Sequence, residues 1–164
     1  MTLILTVILV ALVFEYINGF HDTANSIATV VATKVLTPSQ AVILAAGMNL
    51  VGALMGTAVA KTISSGLLDT TVVVVSSQLI ICALLGGIVW NLITWWFGLP
   101  SSSSHALIGG LVGAGLAAGG TGAIKWGTVE KTAIAIVASP LVAFTIAFVS
   151  MFLVGLLQAL GAPT

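Results

Sequence analysis

The sequence predicts an all-α fold, a polytopic membrane helical bundle with broken or re-entrant helices. Three observations carry this. Of 164 residues, 59% are hydrophobic and 5% are charged, where soluble domains carry about 25% charged residues. Apolar runs near the ~20 residues needed to cross a bilayer recur along the chain. The first run is interrupted by the polar knot Gly19-Phe20-His21-Asp22-Thr23-Ala24-Asn25-Ser26, and irregular backbone at membrane depth is tolerated only where it lines a cavity or is buried in protein.

Segment one covers residues 2–35, too long for one simple span, and Gly19 is the expected break. The N-terminus lacks the basic region of a signal peptide, so a retained membrane helix is expected. On a helix, Glu15, Asn18, Asp22, Asn25 and Thr29 fall at spacings of three and four and form one polar stripe. An ionisable side chain at membrane depth costs at least ~2.5–3.5 kcal/mol on insertion scales, so the stripe reads as a functional site. Pro38 closes the segment, because proline disfavours helical geometry in the residue before it.

Segment two is expected over 40–60, with Gly52 and Gly56 spaced for close helix packing, followed by a loop from Lys61 to Thr71. Segment three is expected over 72–97, its end marked by Trp90, Trp95, Trp96 and Phe97 at the headgroup level. Gln78 and Asn91 within it read as interhelical hydrogen-bonding residues, and Cys82 as a buried, inert thiol. The stretch Gly98-Leu99-Pro100-Ser101-Ser102-Ser103-Ser104-His105 leads into a glycine-rich helix over 104–118. Gly109/Gly113 and Gly115/Gly119 are again spaced for close packing. Residues 119–131 read as a connection, and the last span is expected over 132–160 with a kink at Pro140. Residues 1–164 are expected to form a single transmembrane domain.

The four basic residues, Lys34, Lys61, Lys125 and Lys131, form no cluster and balance four acids. Nucleic acid binding is unsupported, membrane lipid is the expected surroundings, and lysine placement leaves the orientation open. His21 and His105 lack metal-ligand spacing, so no metal site and no cofactor are expected.

A helix start capped by serine is an anion site: free amides, hydroxyl donors and the positive end of the helix dipole. A carboxylate such as Asp22 beside an anion needs a proton or cation between them. An oxyanion symporter combines these groups for that reason. Two other classes use the same residues: an intramembrane serine hydrolase built on Ser101–Ser104 with His105 and Asp22, and a channel or assembly subunit. The hydrolase is disfavoured because no GxSxG elbow is present and a Ser-His pair on one helix turn is poorly placed for proton transfer.

Asn18-Gly19-Phe20-His21-Asp22-Thr23-Ala24-Asn25-Ser26, followed by Lys34-Val35-Leu36-Thr37, resembles the signature of the PiT family of inorganic phosphate transporters. Gly98–His105 followed by Gly109 resembles that family's second motif, and Phe20-His21 is similar to its bacterial low-affinity permease branch. The resemblance implies a multi-pass plasma-membrane transporter, not an enzyme, that moves phosphate by symport with sodium or protons, with a divalent metal carried alongside phosphate in some members. It implies a phosphate site of Asp22, Asn25, Ser102, Ser103, Ser104 and His105, with Asn18, Asp22 and Asn25 as coupling-ion candidates. Family members have two inverted halves that each carry both motifs, and this chain has one copy of each. It therefore corresponds to one half of an inverted-repeat transporter, a fragment or a half-size protein whose partner is the second repeat or another copy of itself.

Overall fold

A computed structural model describes residues 1–55 and 66–161. It is 83% helical, with five α-helices among the described residues, α1 (Thr2–Ala32), α2 (Pro38–Met55), α3 (Ser77–Trp96), α4 (Ser103–Gly119) and α5 (Trp126–Gly161), and a short 3-10 turn at Thr121–Ala123. All but α4 are long and apolar enough to cross a membrane. The chain divides into two compact units, Met1–Lys125 and Trp126–Thr164.

The first correction concerns α1, which runs unbroken through Gly19 for 31 residues. A glycine inside a helix costs about 1 kcal/mol relative to alanine. Backbone groups left unpaired in lipid cost several kcal/mol each, so the continuous helix wins. Continuity also makes the stripe from Glu15 to Thr29 a true helix face. At 1.5 Å per residue α1 is about 46 Å long, which a ~30 Å hydrocarbon core accommodates by tilt or overhang. It ends in a Schellman motif: Val35 N–H donates to the Val30 carbonyl and Lys34 N–H to that of Val31, both at 3.0 Å. Lys34 carries the required positive φ of 58°, a strained place for a residue with a Cβ.

A capping box starts α2. Gln40 N–H donates to Thr37 Oγ1 at 3.4 Å, and Thr37 N–H donates back to Gln40 Oε1 at 3.1 Å. Pro38 occupies the first helical position, where its missing N–H costs nothing. Nothing packs where a Cβ on Gly52 would stand, while Gly56 and Lys61 lie outside the described residues.

Segment three begins five residues later than expected. Residues 72–76 are turn and extended chain, and Ser76 caps α3 by accepting from Leu79 N–H at 3.2 Å. Leu68 and Ile124 form an antiparallel bridge, and Asp69 N–H donates to the Ala123 carbonyl at 2.8 Å. The Thr71 hydroxyl and amide hold the Asp69 carboxyl below the usual carboxylate range, with Lys125 adding to the effect. That contribution is present at neutral pH and is lost as pH falls through the lowered value.

The expected discontinuity lies between α3 and α4 instead. Leu99 N–H donates to the Thr94 carbonyl at 2.8 Å and Gly98 N–H to that of Trp95 at 3.0 Å, another Schellman ending. Gly98 takes the positive φ, 64°. Pro100 follows, and Ser102 restarts the helix. The two helices run antiparallel in close contact: a Cβ on Gly110 would strike the Ala83 backbone oxygen, and a Cβ on Gly86 would stand 3.6 Å from the Gly110 Cα. α1 runs parallel to α3, since Phe14 meets Gly87 and His21 meets Thr94 one helical stretch further on. Phe14, Ile17, Leu84 and Ile88 form the core, with Leu107 of α4 packed against them. Lipid tails are as apolar as these side chains, so contact and shape rather than dehydration hold the three helices together.

Cys82 is exposed, a second correction, because it points away from the buried stripe Leu79, Ala83, Leu84, Gly87, Ile88, Asn91 and Thr94. Gly109 and Gly113 meet nothing within 4 Å of a built Cβ; Gly110, Gly115 and Gly119 make the close approaches.

The second unit is α5, 36 residues beginning at Trp126, six residues before its expected start. Pro140 is accommodated inside it. Hydroxyls of Thr132, Ser139, Thr145 and Ser150 donate to the carbonyls of Thr128, Ala135, Leu141 and Ile146. Each of these four hydroxyls is thus satisfied within its own helix, as a lipid setting requires.

Two glycines on α4 separate packing from helix propensity. Gly110→Ala should destabilise the first unit by about 1–3 kcal/mol through overpacking. Gly113→Ala should be neutral or slightly stabilising, since alanine is the better helix former. Equal thermal unfolding midpoints for the two variants in detergent would disprove this account of the α3–α4 contact.

Candidate functional site

Among the described residues, four polar side chains are buried: His21, Asn91, Thr94 and Ser103. They come from α1, α3 and α4 and lie where those helices meet. Helical register explains this. Phe14, Gly87 and Ala106 touch at one level. One turn along lie Asn18 on α1, Asn91 on α3 and, because α4 runs the other way, Ser103. One further turn along α1 and α3 lie His21–Asp22 and Thr94.

His21 is held at both ring nitrogens. Nε2 lies 3.2 Å from Thr94 Oγ1, and Nδ1 lies 3.3 Å from Asp22 Oδ1. The Thr94 hydroxyl donates back to its own helix, 3.0 Å from the Trp90 carbonyl and 3.1 Å from that of Asn91. This is the usual habit of a helical threonine. With the Thr94 hydroxyl proton spent on its own helix, Thr94 Oγ1 accepts from His21 Nε2–H, and Asp22 Oδ1 accepts from Nδ1 only where that nitrogen carries a proton as well. His21 therefore locks the α1–α3 register directly beneath Asp22. The Asp22 side chain itself is about half exposed, at 47%, and Asn25, Ser26 and Thr29 are exposed along the same face.

The serine run divides by function. Ser101 Oγ accepts from Trp90 Nε1 at 3.2 Å, and Ser102 Oγ caps α4 by accepting from His105 N–H at 3.4 Å. Ser103 is buried and Ser104 exposed; both line a cavity of about 450 Å³ together with Phe14, Glu15, Asn18 and Leu107. His105 is exposed and lines a different hollow, with Trp90, Gly109 and Gly110. The structure thus brings Asn18, Ser103 and Ser104 together, sets Asp22 one turn above Asn18, and separates His105 from the serines. A Ser-His nucleophile pair is not formed. Asp22 and Asn25 line neither hollow and instead present a polar face outward from the three helices.

A profile described as the phosphate transporter family matches residues 18–161. The chain belongs to the phosphate transporter family. It is 50% identical over 157 residues to a probable low-affinity inorganic phosphate transporter of Bacillus subtilis (strain 168), covering 94% of this chain and 47% of that protein. A relative of the same description in Streptomyces halstedii is 50% identical over 149 residues, covering 90% of this chain and 69% of the relative. A low-affinity inorganic phosphate transporter of Escherichia coli (strain K12) is 43% identical over 131 residues, 77% of this chain and 26% of that protein. A solved structure, a sodium-dependent phosphate transporter, superposes with a TM-score of 0.88 at 31% identity, over 95% of this chain and 40% of that one. The chain spans about half the length of the Bacillus relative. These relatives are transporters rather than enzymes, and membership with several apolar helices makes this a multi-pass membrane protein of the plasma membrane.

Sequence reasoning missed two site residues. Thr94 carries no signal of its own, being one of many threonines on apolar helices. Asn91 was legible as a polar residue mid-span, but its expected interhelical hydrogen bond is not made: Nδ2 and Oδ1 both lack a partner, as do Asn18 Oδ1 and Ser103 Oγ.

Thr94→Val should leave buried His21 Nε2–H without an acceptor and cost about 1–3 kcal/mol, while Thr94→Ser should stay near wild type. Thermal unfolding of the two variants decides the point, and equal midpoints would remove His21–Thr94 from the forces holding α1 to α3.

Proposed function

We propose that this chain forms one wall of a secondary transporter that moves inorganic phosphate by symport with sodium or protons. The observation that carries the reading is the exposed stripe Asp22, Asn25, Ser26 and Thr29 on a helix otherwise apolar enough to cross a bilayer. In lipid such a stripe has to be covered by protein or face water. A serine-capped helix begins one turn below it, and its first amides fall outside the intrahelical ladder.

In this reading Ser102, Ser103 and Ser104 at the α4 start, with Asn25, donate to phosphate oxygens. Asp22 cannot approach the dianion without a positive charge between them, so it binds the coupling ion together with Asn18 and Asn25. A bound proton on phosphate or a divalent metal travelling with it serves the same electrostatic end. His105 lines the approach on the Trp90 side. The facing wall comes from a second repeat or from a second copy of this chain, which the roughly half-length match to the relatives supports. The relatives' descriptions support phosphate as substrate, and that of the solved relative supports sodium as the ion.

Uptake of radiolabelled phosphate into proteoliposomes, with sodium and proton gradients imposed separately, tests the reading. Asp22→Asn should abolish gradient-driven uptake, and Asn25→Ala should lower it at least tenfold. The double change Ser103→Ala with Ser104→Ala should raise the apparent KM for phosphate. Near-normal uptake by Asp22→Asn would overturn the assignment, and unchanged kinetics in the serine double variant would move phosphate elsewhere.

A further inference from the structure

His21 is a buried ionisable group that the proposed transport chemistry leaves unused, 5% exposed on a helix apolar enough to cross a membrane. Its ring has two polar contacts, Thr94 Oγ1 at 3.2 Å and Asp22 Oδ1 at 3.3 Å. Consecutive side chains on a helix point about 100° apart and do not face each other. The Asp22 carboxylate therefore reaches the ring by turning back toward it, and among the described residues it has no other polar partner. Other charged groups are occupied or distant. Glu15, two turns below on α1, accepts from Asn18. α2 and α3 carry no charged residue, and His105, the one titratable group on α4, lines a different hollow.

Hydrogen-bond chemistry fixes what the ring must offer. A carboxylate only accepts, so a bare Nδ1 lone pair facing Oδ1 at 3.3 Å would repel it, and the contact requires Nδ1–H. The Thr94 hydroxyl permits this in either of its settings. Donated to the Trp90 or Asn91 carbonyl, it accepts from Nε2–H, and the ring carries both protons. Turned to Nε2, it leaves the ring's one proton on Nδ1, and both carbonyls keep their bonds within the helix ladder. The ring stays in place in both settings, because Oγ1 of the facing helix remains bonded to Nε2 throughout.

We propose that His21 is a positioning residue: clamped to α3 by Thr94, it donates Nδ1–H to Asp22 Oδ1 and leaves Oδ2 for the exposed face. The Asp22 side chain is 47% exposed there, and on its own it would move among several rotamers. Held by one oxygen, it meets its ion without first being ordered, which lowers the cost of binding. The chain Thr94–His21–Asp22 also makes the carboxylate depend on the α1–α3 register. That use in ion binding rests on the symport reading of Asp22; the hydrogen bonds do not.

Two amide variants divide the two contacts. His21→Gln places an amide at the level of Nε2, keeping Thr94 and losing Asp22; His21→Asn places one at the level of Nδ1, keeping Asp22 and losing Thr94. In proteoliposomes His21→Gln should raise the half-saturating concentration of the driving ion about tenfold, with a wild-type maximal rate and unfolding midpoint. His21→Asn should keep the ion affinity of wild type while lowering the midpoint. A histidine that merely holds the helices together gives the reverse, with affinity following stability, and that result would overturn the proposal. Nitrogen NMR of the purified chain in detergent reads the bond without transport, with the His21 signals assigned by their absence in His21→Gln. Wild type should show a protonated Nδ1, and Asp22→Ala should return it to a bare ring nitrogen. A bare Nδ1 in wild type, or one unmoved by Asp22→Ala, also overturns the proposal. Wild type that takes up no phosphate retires the symport reading, and the nitrogen signals alone then decide whether His21 holds Asp22.

Discussion

The backbone of α4 can lie against Ala83 of α3 because position 110 has no Cβ, and the rest of the first unit depends on that approach. It brings Ala106 to Gly87, where Phe14 of α1 fills the remaining space. With that level set, helical register brings Asn18 and Ser103 to one cavity a turn away and places Asn91 on the adjoining turn of α3. A bulkier residue at 110 would push α4 outward and part these three side chains, none of which it touches. Packing between small residues thus determines the position of the polar chemistry, which is how membrane helices associate when no hydrophobic gradient separates protein from lipid.

The same constraint explains the two helix endings. α1 and α3 both stop in Schellman motifs, with Lys34 and Gly98 at the left-handed position. Backbone carbonyls that a frayed end would expose are bonded internally before the chain turns. Between α3 and α4 the consequence is functional. Gly98 ends one helix, Pro100 prevents its continuation, and Ser102 begins the next within five residues. The new helix therefore starts beside α3 with its amide end at the level of Asn18 and Asn91. Turn chemistry places a helix dipole where the buried polar side chains gather.

His21 and Asp22 show how neighbouring residues on one helix divide the work. His21 faces α3 and is spent on register through Thr94; Asp22, about 100° around the helix, remains about half exposed. An unbroken α1 is needed for this division. A break at Gly19 would have released His21 from the geometry that seats it on Thr94. The two histidines have separate settings for the same reason: His105 lies on the opposite side of α4 from Ser103, and each faces a different hollow.

Composition and apolar run length by themselves determined the all-α membrane class, because a charge content of 5% leaves no soluble alternative. Local chemistry determined the start of α4 to within one residue and the turn at Pro38, since caps and proline act over three or four positions. The polar stripe on α1 was likewise legible, being a matter of 3.6-residue spacing. What only the tertiary structure decided were the facts that depend on a partner helix. Gly19 lies in a continuous helix because nothing packs there to favour a break. Gly110 rather than Gly109 or Gly113 makes the close contact, because only it faces Ala83. Asn91, an ordinary mid-span asparagine in the sequence, is fully buried with both side-chain polar atoms unpartnered. Spacing along one chain cannot express the rotation of one helix against another, and that rotation decides which polar atoms meet.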